Sequence, residues 1–294
     1  MLGGAFSSRR GKGGPFGGRG ALGAFASGSG RLAAPPIIPS YDPDAQNLFD
    51  RFATPADADR RQLISGRYIV GKEKPFWAKQ DALWVHAAHG PEAARINWLG
   101  DIYNCVPVNN PAFTADRGYM GDGSSSYLDT GFNPATALNP KFTRDSGTLG
   151  IRSNTNNQGA GSLAGFFNGS NGTTINPRTS ADRFTARVNQ ATARETANGS
   201  VTSSIGMFVA VRDVATGGVV PAVYKDGVAI ETTAISGSVS VAPVNGNFRL
   251  GSIANNSYRA CQFSMGFVAS GLTAQDVKDI FDWFEPYRIA VGVT

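Results

Sequence analysis

Cysteine, histidine and charge are all scarce in this chain. Two cysteines in 294 residues, Cys105 and Cys261, allow at most one intrachain disulfide, which excludes a small scaffold held together by disulfides. Cys261 sits on the apolar side of an alternating segment, so a buried free thiol is the simpler reading. The histidines are His86 and His89 alone. With Glu92 they form the one metal-like spacing, but a zinc site takes three or four ligands and the HExxH arrangement is absent, so neither a metal nor a cofactor is expected. No run of about 18 apolar residues exists, so no membrane insertion is expected. The N-terminus lacks the continuous apolar core of a secretory signal, which points to folding and assembly inside the cell that makes the chain.

What is present describes a globular protein with an unusually uncharged surface. Hydrophobic residues reach 41 % against 17 % charged, enough to bury a sizeable core under a Gly/Asn/Ser/Thr-rich exterior that suits packed assemblies and polar ligands. The net charge of +5 would suit nucleic acid, but several of the excess cations lie in the first few dozen residues. Nucleic-acid binding by the folded body is therefore not expected.

Residues 1–40 read as a separate Gly-rich basic arm ending in a proline linker. Phe6, Phe16 and Phe25 are its apolar anchors, and Arg9, Arg10, Lys12 and Arg19 its cations. So much glycine cannot offset its own ordering entropy, so the arm is expected either to order against a partner surface or to remain a loose basic tail. Ala33 to Pro39, with three prolines, is a stiff joint. Residues 41–100 read as a helical, aromatic lead-in, with a helix opening at Thr54-Pro55 and the bulky stretch Phe76 to His86 covering one end of the core.

Residues 101–294 read as strands and loops. Thr148 to Arg152, Arg183 to Val188, Ile205 to Arg212, Val219 to Lys225, Val228 to Thr233, Phe248 to Ile253 and Cys261 to Val268 carry strand patterns. In the last, Cys261, Phe263, Met265 and Phe267 alternate with Gln262, Ser264 and Gly266, which predicts one buried face. Asp226-Gly227 between two β-rich runs predicts a type I′ hairpin. Thr273 and Asp276 predict a capped helix start, Val277, Ile280, Phe281 and Phe284 its apolar side, and Pro286 its stop or kink. Many short strands with polar turns and one late helix predict a mainly β, two-sheet jelly-roll sandwich.

Arg117 to Pro134, with Gly121-Asp122-Gly123-Ser124-Ser125-Ser126-Tyr127-Leu128-Asp129-Thr130-Gly131 at its centre, resembles the opening segment of the concanavalin A-like (laminin-G-like) domain of tailed-phage virion and prophage proteins. Trp77 to Val85 and Ala93 to Trp98 are similar to that family's helical lead-in, Tyr224 to Val228 to its strand–turn–strand, and the Cys261 to Val268 strand with the helix after Leu272 to its closing elements. The likeness spans roughly residues 60 to 290 and does not include the Gly-rich arm. It implies a concanavalin A-like jelly roll in a virion, assembled in a bacterial host. There the chain would be a tail-associated or fibre-type appendage docked on other virion proteins through the arm and adhering to host-surface glycan. A capsid decoration or head-fibre protein is the rival, and a glycan-cleaving module the rival from another class. Homo-oligomerisation, as a trimer for a fibre, follows by analogy.

Relatives of this architecture sometimes bind calcium, but Asp122 and Asp129 are better explained as turn formers. Glycosidases on this sandwich need two facing carboxylates, and none of the strands named above carries such a pair. Gly-x-Ser-x-Gly is also absent, and Gly159 to Gly165 mimics a dinucleotide loop only loosely. A non-enzymatic chain with no catalytic residues is the expectation. The loops best suited to sugar contact are Ser153 to Gly161, Asn168 to Asn176 and Asn245 to Ser257. Their candidate contacts are Asn154, Asn156, Asn157, Asn168, Asn171, Asn255 and Asn256.

Overall fold

The structure is a computed structural model and describes residues 40–214, 221–232, 239–254 and 257–293. The arm residues Phe6, Arg9, Arg10, Lys12, Phe16, Arg19 and Phe25, with Asn255 and Asn256, lie outside the described residues. Residues from Pro39 onward form one compact unit, so the lead-in and the β region share one body.

In chain order the elements are α1 (Pro43–Phe49), α2 (Ala58–Lys72), α3 (Pro75–Lys79), β1 (Gln80–Val85), β2 (Val106–Val108), β3 (Ala112–Thr114), β4 (Gly118–Met120), β5 (Tyr127–Asp129) and β6 (Ser146–Ser153). There follow β7 (Ala164–Phe167), β8 (Gly172–Asn176), β9 (Thr185–Gln190), β10 (Arg194–Glu195), β11 (Gly206–Asp213), β12 (Ala222–Lys225), β13 (Val228–Ile230), β14 (Arg249–Leu250), β15 (Ser252–Ala254), β16 (Ser257–Tyr258), β17 (Gln262–Ala269) and α4 (Ala274–Ala290). An eight-stranded sheet runs β13-β12-β11-β6-β17-β4-β3 with β1 also on β17, and a seven-stranded sheet runs β10-β9-β8-β7-β14-β5-β2. Their pairings are antiparallel, and the fold is a mainly β, jelly-roll-like sandwich with few helices.

The two sheets face each other across Leu128, Phe132, Phe142, Leu149, Ile151, Ile175, Phe184, Phe208, Phe248 and Leu250, all fully buried. Phe132, Phe142 and Phe248 pack their rings at 5.6 to 6.4 Å, and Phe184 meets Phe208 edge-on at 5.1 Å. Rings of this size dominate the burial that offsets chain entropy. Asp226 and Gly227 take φ of 51° and 78°, the two positive values a type I′ turn requires, and pair Lys225 with Val228.

Three expectations change. The predicted single apolar face of the 261–268 strand is split by a register shift against β6 between Phe263 and Met265. Phe263 stands beside Gly251, at the seven-stranded sheet, and Gly266 faces Leu250 there, so Phe267 lies on the opposite face, where its ring fills the space a Cβ on Gly150 would need. Both faces of β17 are buried, because α4 covers the second one: Glu285 on α4 reaches Arg152 of β6 at 3.3 Å. The lead-in is also not wholly helical, since Gln80–Val85 pairs with Met265–Ala269 as a sheet strand. Its second helix begins at Asp57, whose carboxylate accepts the Arg60 N–H at 2.7 Å, rather than at Thr54-Pro55.

The third concerns α4. Thr273 and Asp276 form the expected reciprocal capping box, reinforced by Lys79 Nζ at 2.6 Å from Asp276. Pro286 does not stop the helix, which continues to Ala290. Pro286 is exposed, so the carbonyl left unpaired one turn earlier can take water. The last turn is held by the Tyr287 hydroxyl donating to Ala87 O at 2.8 Å and by Arg288 on Glu285 at 2.6 Å.

Candidate functional site

A cleft of about 350 Å³ opens in the helical cap, lined by Asp44, Asn47, Arg51, Tyr68, Trp77, Trp98, Leu99, Gly100 and Asp101. Four separate pieces of chain build it. On α1, Leu48 and Phe49 turn into the core, which leaves Asp44 and Asn47 on the exposed side. On α2, Tyr68 is buried and stacks on Trp98 with centroids 5.6 Å apart and planes within 7°. Trp77 of α3 stands edge-on to Tyr68 at 5.3 Å and is half-buried, so it supplies the open aromatic surface. The Tyr68 hydroxyl donates to Trp98 O, and burial pushes its phenol far above the ordinary value.

Arg51 fixes the remaining wall. Its guanidinium donates to Gly100 O and Asn97 O, each at 2.8 Å, and approaches Asp101 at 3.6 Å. Asp101 is 75 % exposed, so its second oxygen faces solvent. Arg51 and Asp101 also line an adjoining cleft of about 260 Å³ with Glu92, Arg95, Ile96, Asn104 and Cys105. The two clefts meet at Arg51 and Asp101, and the larger of them forms an open groove. Across it stand an indole, two carboxylates, an amide and a guanidinium, a set that offers apolar contact to a sugar ring and both donors and acceptors to its hydroxyls.

The predicted asparagines separate into two groups. Asn154 donates to Arg117 O at 2.9 Å and accepts from Ser264 at 3.0 Å. Asn156 accepts from Arg178 at 2.8 Å, and Asn157 donates to Ala260 O at 2.7 Å. The buried Arg259 binds this loop by donating to Gly159 O, Gly161 O, Asn157 O, Arg178 O and Asn176 Oδ1. These three asparagines therefore hold a loop together. Asn168 and Asn171 sit in the β7–β8 turn, at the other end of that hairpin, where Asn168 Oδ1 accepts the Ser170 and Asn171 N–H groups.

The candidate metal ligands do not gather. His86 is buried, donates Nδ1–H to Ala94 O at 2.6 Å and packs on Phe263 and Tyr119. Burial pulls its pKa down to about 4. His89 instead lies against Phe52, bonded to Thr54 O at 2.9 Å. Asp122 accepts the N–H groups of Ser124, Ser125 and Ser126 at 2.8 to 2.9 Å, which holds its carboxyl well below the usual range. Asp129 accepts from Gly131 N and Asn247. Among the described residues no three His, Cys, Asp or Glu side chains converge as a metal site, and both cysteines are buried and free. Also among the described residues, no helix is long and apolar enough to cross a membrane.

Sequence reasoning missed the groove. The sequence signal for it is the density of aromatic residues between Tyr68 and Trp98, which by itself indicates only core cover. That Asp44, Asn47 and Asp101 lie beside those rings follows only from the packing of α1 on α2.

No protein-family model matches the chain, and no curated protein is similar to it. Among solved structures, a Trypanosoma rangeli sialidase in complex with 2-keto-3-deoxy-D-glycero-D-galacto-2,3-difluoro-nononic acid aligns with a TM-score of 0.51 at 15 % identity, over 78 % of this chain and 40 % of that one. Domain 4 of an extracellular GH43 arabinanase from Geobacillus stearothermophilus, in complex with arabinotriose, aligns at 0.45 and 12 % identity over 69 % of this chain and 98 % of that one. The botulinum neurotoxin serotype D binding domain aligns at 0.47 and 9 %, over 69 % and 51 %. The chain thus spans about two fifths of the sialidase, and the likeness is one of fold.

The expectation of a non-enzymatic chain is corrected by the first of these. The sandwich is shared with part of a glycosidase, so the missing acid pair on the strands does not exclude glycan chemistry. Asp44 and Asp101 come from a helix and a loop, which strand patterns do not reach.

Proposed function

We propose that the chain is a glycan-recognition module of a tailed-phage particle, with the aromatic groove of the helical cap reading host-surface saccharide. The groove carries the proposal: Trp77 gives a sugar ring an apolar face, while Asp44, Asn47, Arg51 and Asp101 stand where its hydroxyls would lie. The phage setting rests on the resemblance of Arg117 to Pro134 and its companion segments to virion domains. In that setting residues 1–40 dock the chain onto other virion proteins, as a tail appendage in the first reading and as a head decoration in the second.

The test is binding of the purified chain to an array of host capsular and lipopolysaccharide glycans. Asn47→Ala with Asp101→Ala, both at exposed positions, is expected to weaken the recognised glycan by roughly tenfold or more while leaving the melting temperature in place. An array signal unchanged by these substitutions removes the groove from the reading. Deleting residues 1–39 is expected to abolish incorporation into particles, and retained incorporation refutes the docking role.

One observation favours glycan cleavage as a second reading: the groove contains two carboxylates, Asp44 and Asp101. Release of new reducing ends from the bound glycan, lost in Asp101→Asn, would select it over adhesion.

A further inference from the structure

The outer face of the seven-stranded sheet carries a second arrangement that the groove does not involve. Register places Asp129, Arg249, Gly165, Thr174 and Arg187 in one row across β5, β14, β7, β8 and β9. Leu128 and Leu250, the neighbours of this row, face the core, so the row lies on the outward side. The Arg249 guanidinium lies 4.6 Å from the Tyr127 ring centre and 5.8 Å from that of Phe166. Arg187 lies 4.8 Å over Phe167. Between the two arginines stand Gly165, with no side chain, and Thr174, buried below Arg187, whose Nη1 donates to Thr174 Oγ1 at 3.4 Å.

Neither arginine forms an ion pair among the described residues, although thirteen such pairs occur elsewhere in them. Arg187 has one firm hydrogen bond, to Ala191 O at 2.8 Å, and Arg249 Nε is buried without a partner. Of the nearest acids in the sheet, Asp129 accepts from Gly131 N and Asn247, while Glu195, paired with Arg183, also acts electrostatically on Arg187 without forming an ion pair with it. Aromatic rings hold both guanidinium planes in place, which lowers the ordering cost of a bidentate contact to a carboxylate. The two cations are anchored three strand spacings apart, about 14 Å, a span that suits a chain carrying repeated charges better than a single small anion.

We propose that this sheet face binds an acidic polysaccharide, with carboxylates of its uronate-type sugars seated on Arg249 and Arg187 and the chain spanning the buried Gly165 and Thr174 that separate them. Phe167 presents an apolar edge beside it, and the Asn168–Asn171 turn at the end of β7 adds amide donors, so two of the asparagines singled out in the sequence border this face. The site is independent of the groove, and either can fail alone.

Affinity electrophoresis through gels containing polygalacturonate, dextran or duplex DNA tests it on the full chain. Polygalacturonate is expected to retard the wild-type chain more strongly than dextran or DNA does. Arg187→Gln with Arg249→Gln is expected to reduce that retardation roughly tenfold or more, while Lys278→Gln, which removes an exposed cation on α4, leaves it unchanged. Arg249→Lys alone keeps the charge but loses the planar fork, and is expected to bind more weakly than wild type. Equal retardation by DNA would make the patch a general polyanion surface and overturn the proposal. So would binding untouched by the double substitution, or no retardation of the wild-type chain.

Discussion

The two sheets of the sandwich are built from similar residues and have different surroundings. In the eight-stranded sheet β6, β11 and β17 are buried on both faces, by the opposite sheet on one side and the helices on the other. The seven-stranded sheet keeps its outer side partly open at β2, β5 and β10 and along β9, and there it displays arginines laid on aromatic rings. A side chain on the first sheet is constrained by packing from both directions, so its identity is a matter of volume. On the open face of the second, polar and charged groups carry no such constraint and are free to meet a ligand.

The largest break in that contrast should come from Phe267→Ala, which empties a fully buried site against Gly150. A loss of about 3–5 kcal/mol is expected in urea unfolding. Phe167→Ala, half-buried on the open face, is expected to cost about 1 kcal/mol. If the two prove equal, the contrast between the sheets is wrong.

Acid should act next, on the interior. His86 is neutral in the core with its pKa pulled to about 4 by burial, the bond to Ala94 O opposing only partly. The unfolded chain, titrating near 6.5, binds its proton first, so the stability this neutral ring confers is complete above about pH 6.5 and lost as pH falls toward 4. The expected loss by pH 4 is on the order of 2–3 kcal/mol, and His86→Phe should flatten that part of the pH–stability curve.

A smaller effect belongs to the helix that covers the eight-stranded sheet. Thr273→Ala removes the side-chain cap of α4 and should cost about 1 kcal/mol in thermal unfolding. For Asp276, burial raises the carboxyl pKa, but Lys79 and the Thr273 amide and hydroxyl outweigh it, and the net shift is downward. Its contribution is therefore present above the ordinary carboxylate range and lost as pH falls through its lowered value. Smallest of all, Arg249→Gln on the open sheet should change stability by less than about 0.5 kcal/mol while altering polyuronate binding. A large stability loss there would show that the stacked arginine is part of the packing after all.

Local chemistry was readable in the sequence wherever neighbours in the chain settle the geometry. The Thr273–Asp276 box, the Asp226-Gly227 turn and the alternation around Phe184 depend on residues a few positions apart. The failures share the opposite feature. The face change in β17 is set by β6, more than a hundred residues away in sequence, and β1 is a strand because β17 offers it an edge. Pro286 is tolerated in α4 because the flanking turn is anchored to Ala87 and to Glu285.

By itself, then, the sequence determined the sandwich, its hairpins and its closing helix, because period-2 alternation, turn residues and caps act over short range. Only the tertiary structure decided which surfaces are available for binding. The groove brings together Asp44, Tyr68, Trp77 and Asp101 from four segments, and the arginine row aligns Arg187 with Arg249 through three strand pairings. Neither juxtaposition has a sequence period, since each arises from long-range packing and register rather than from spacing along the chain.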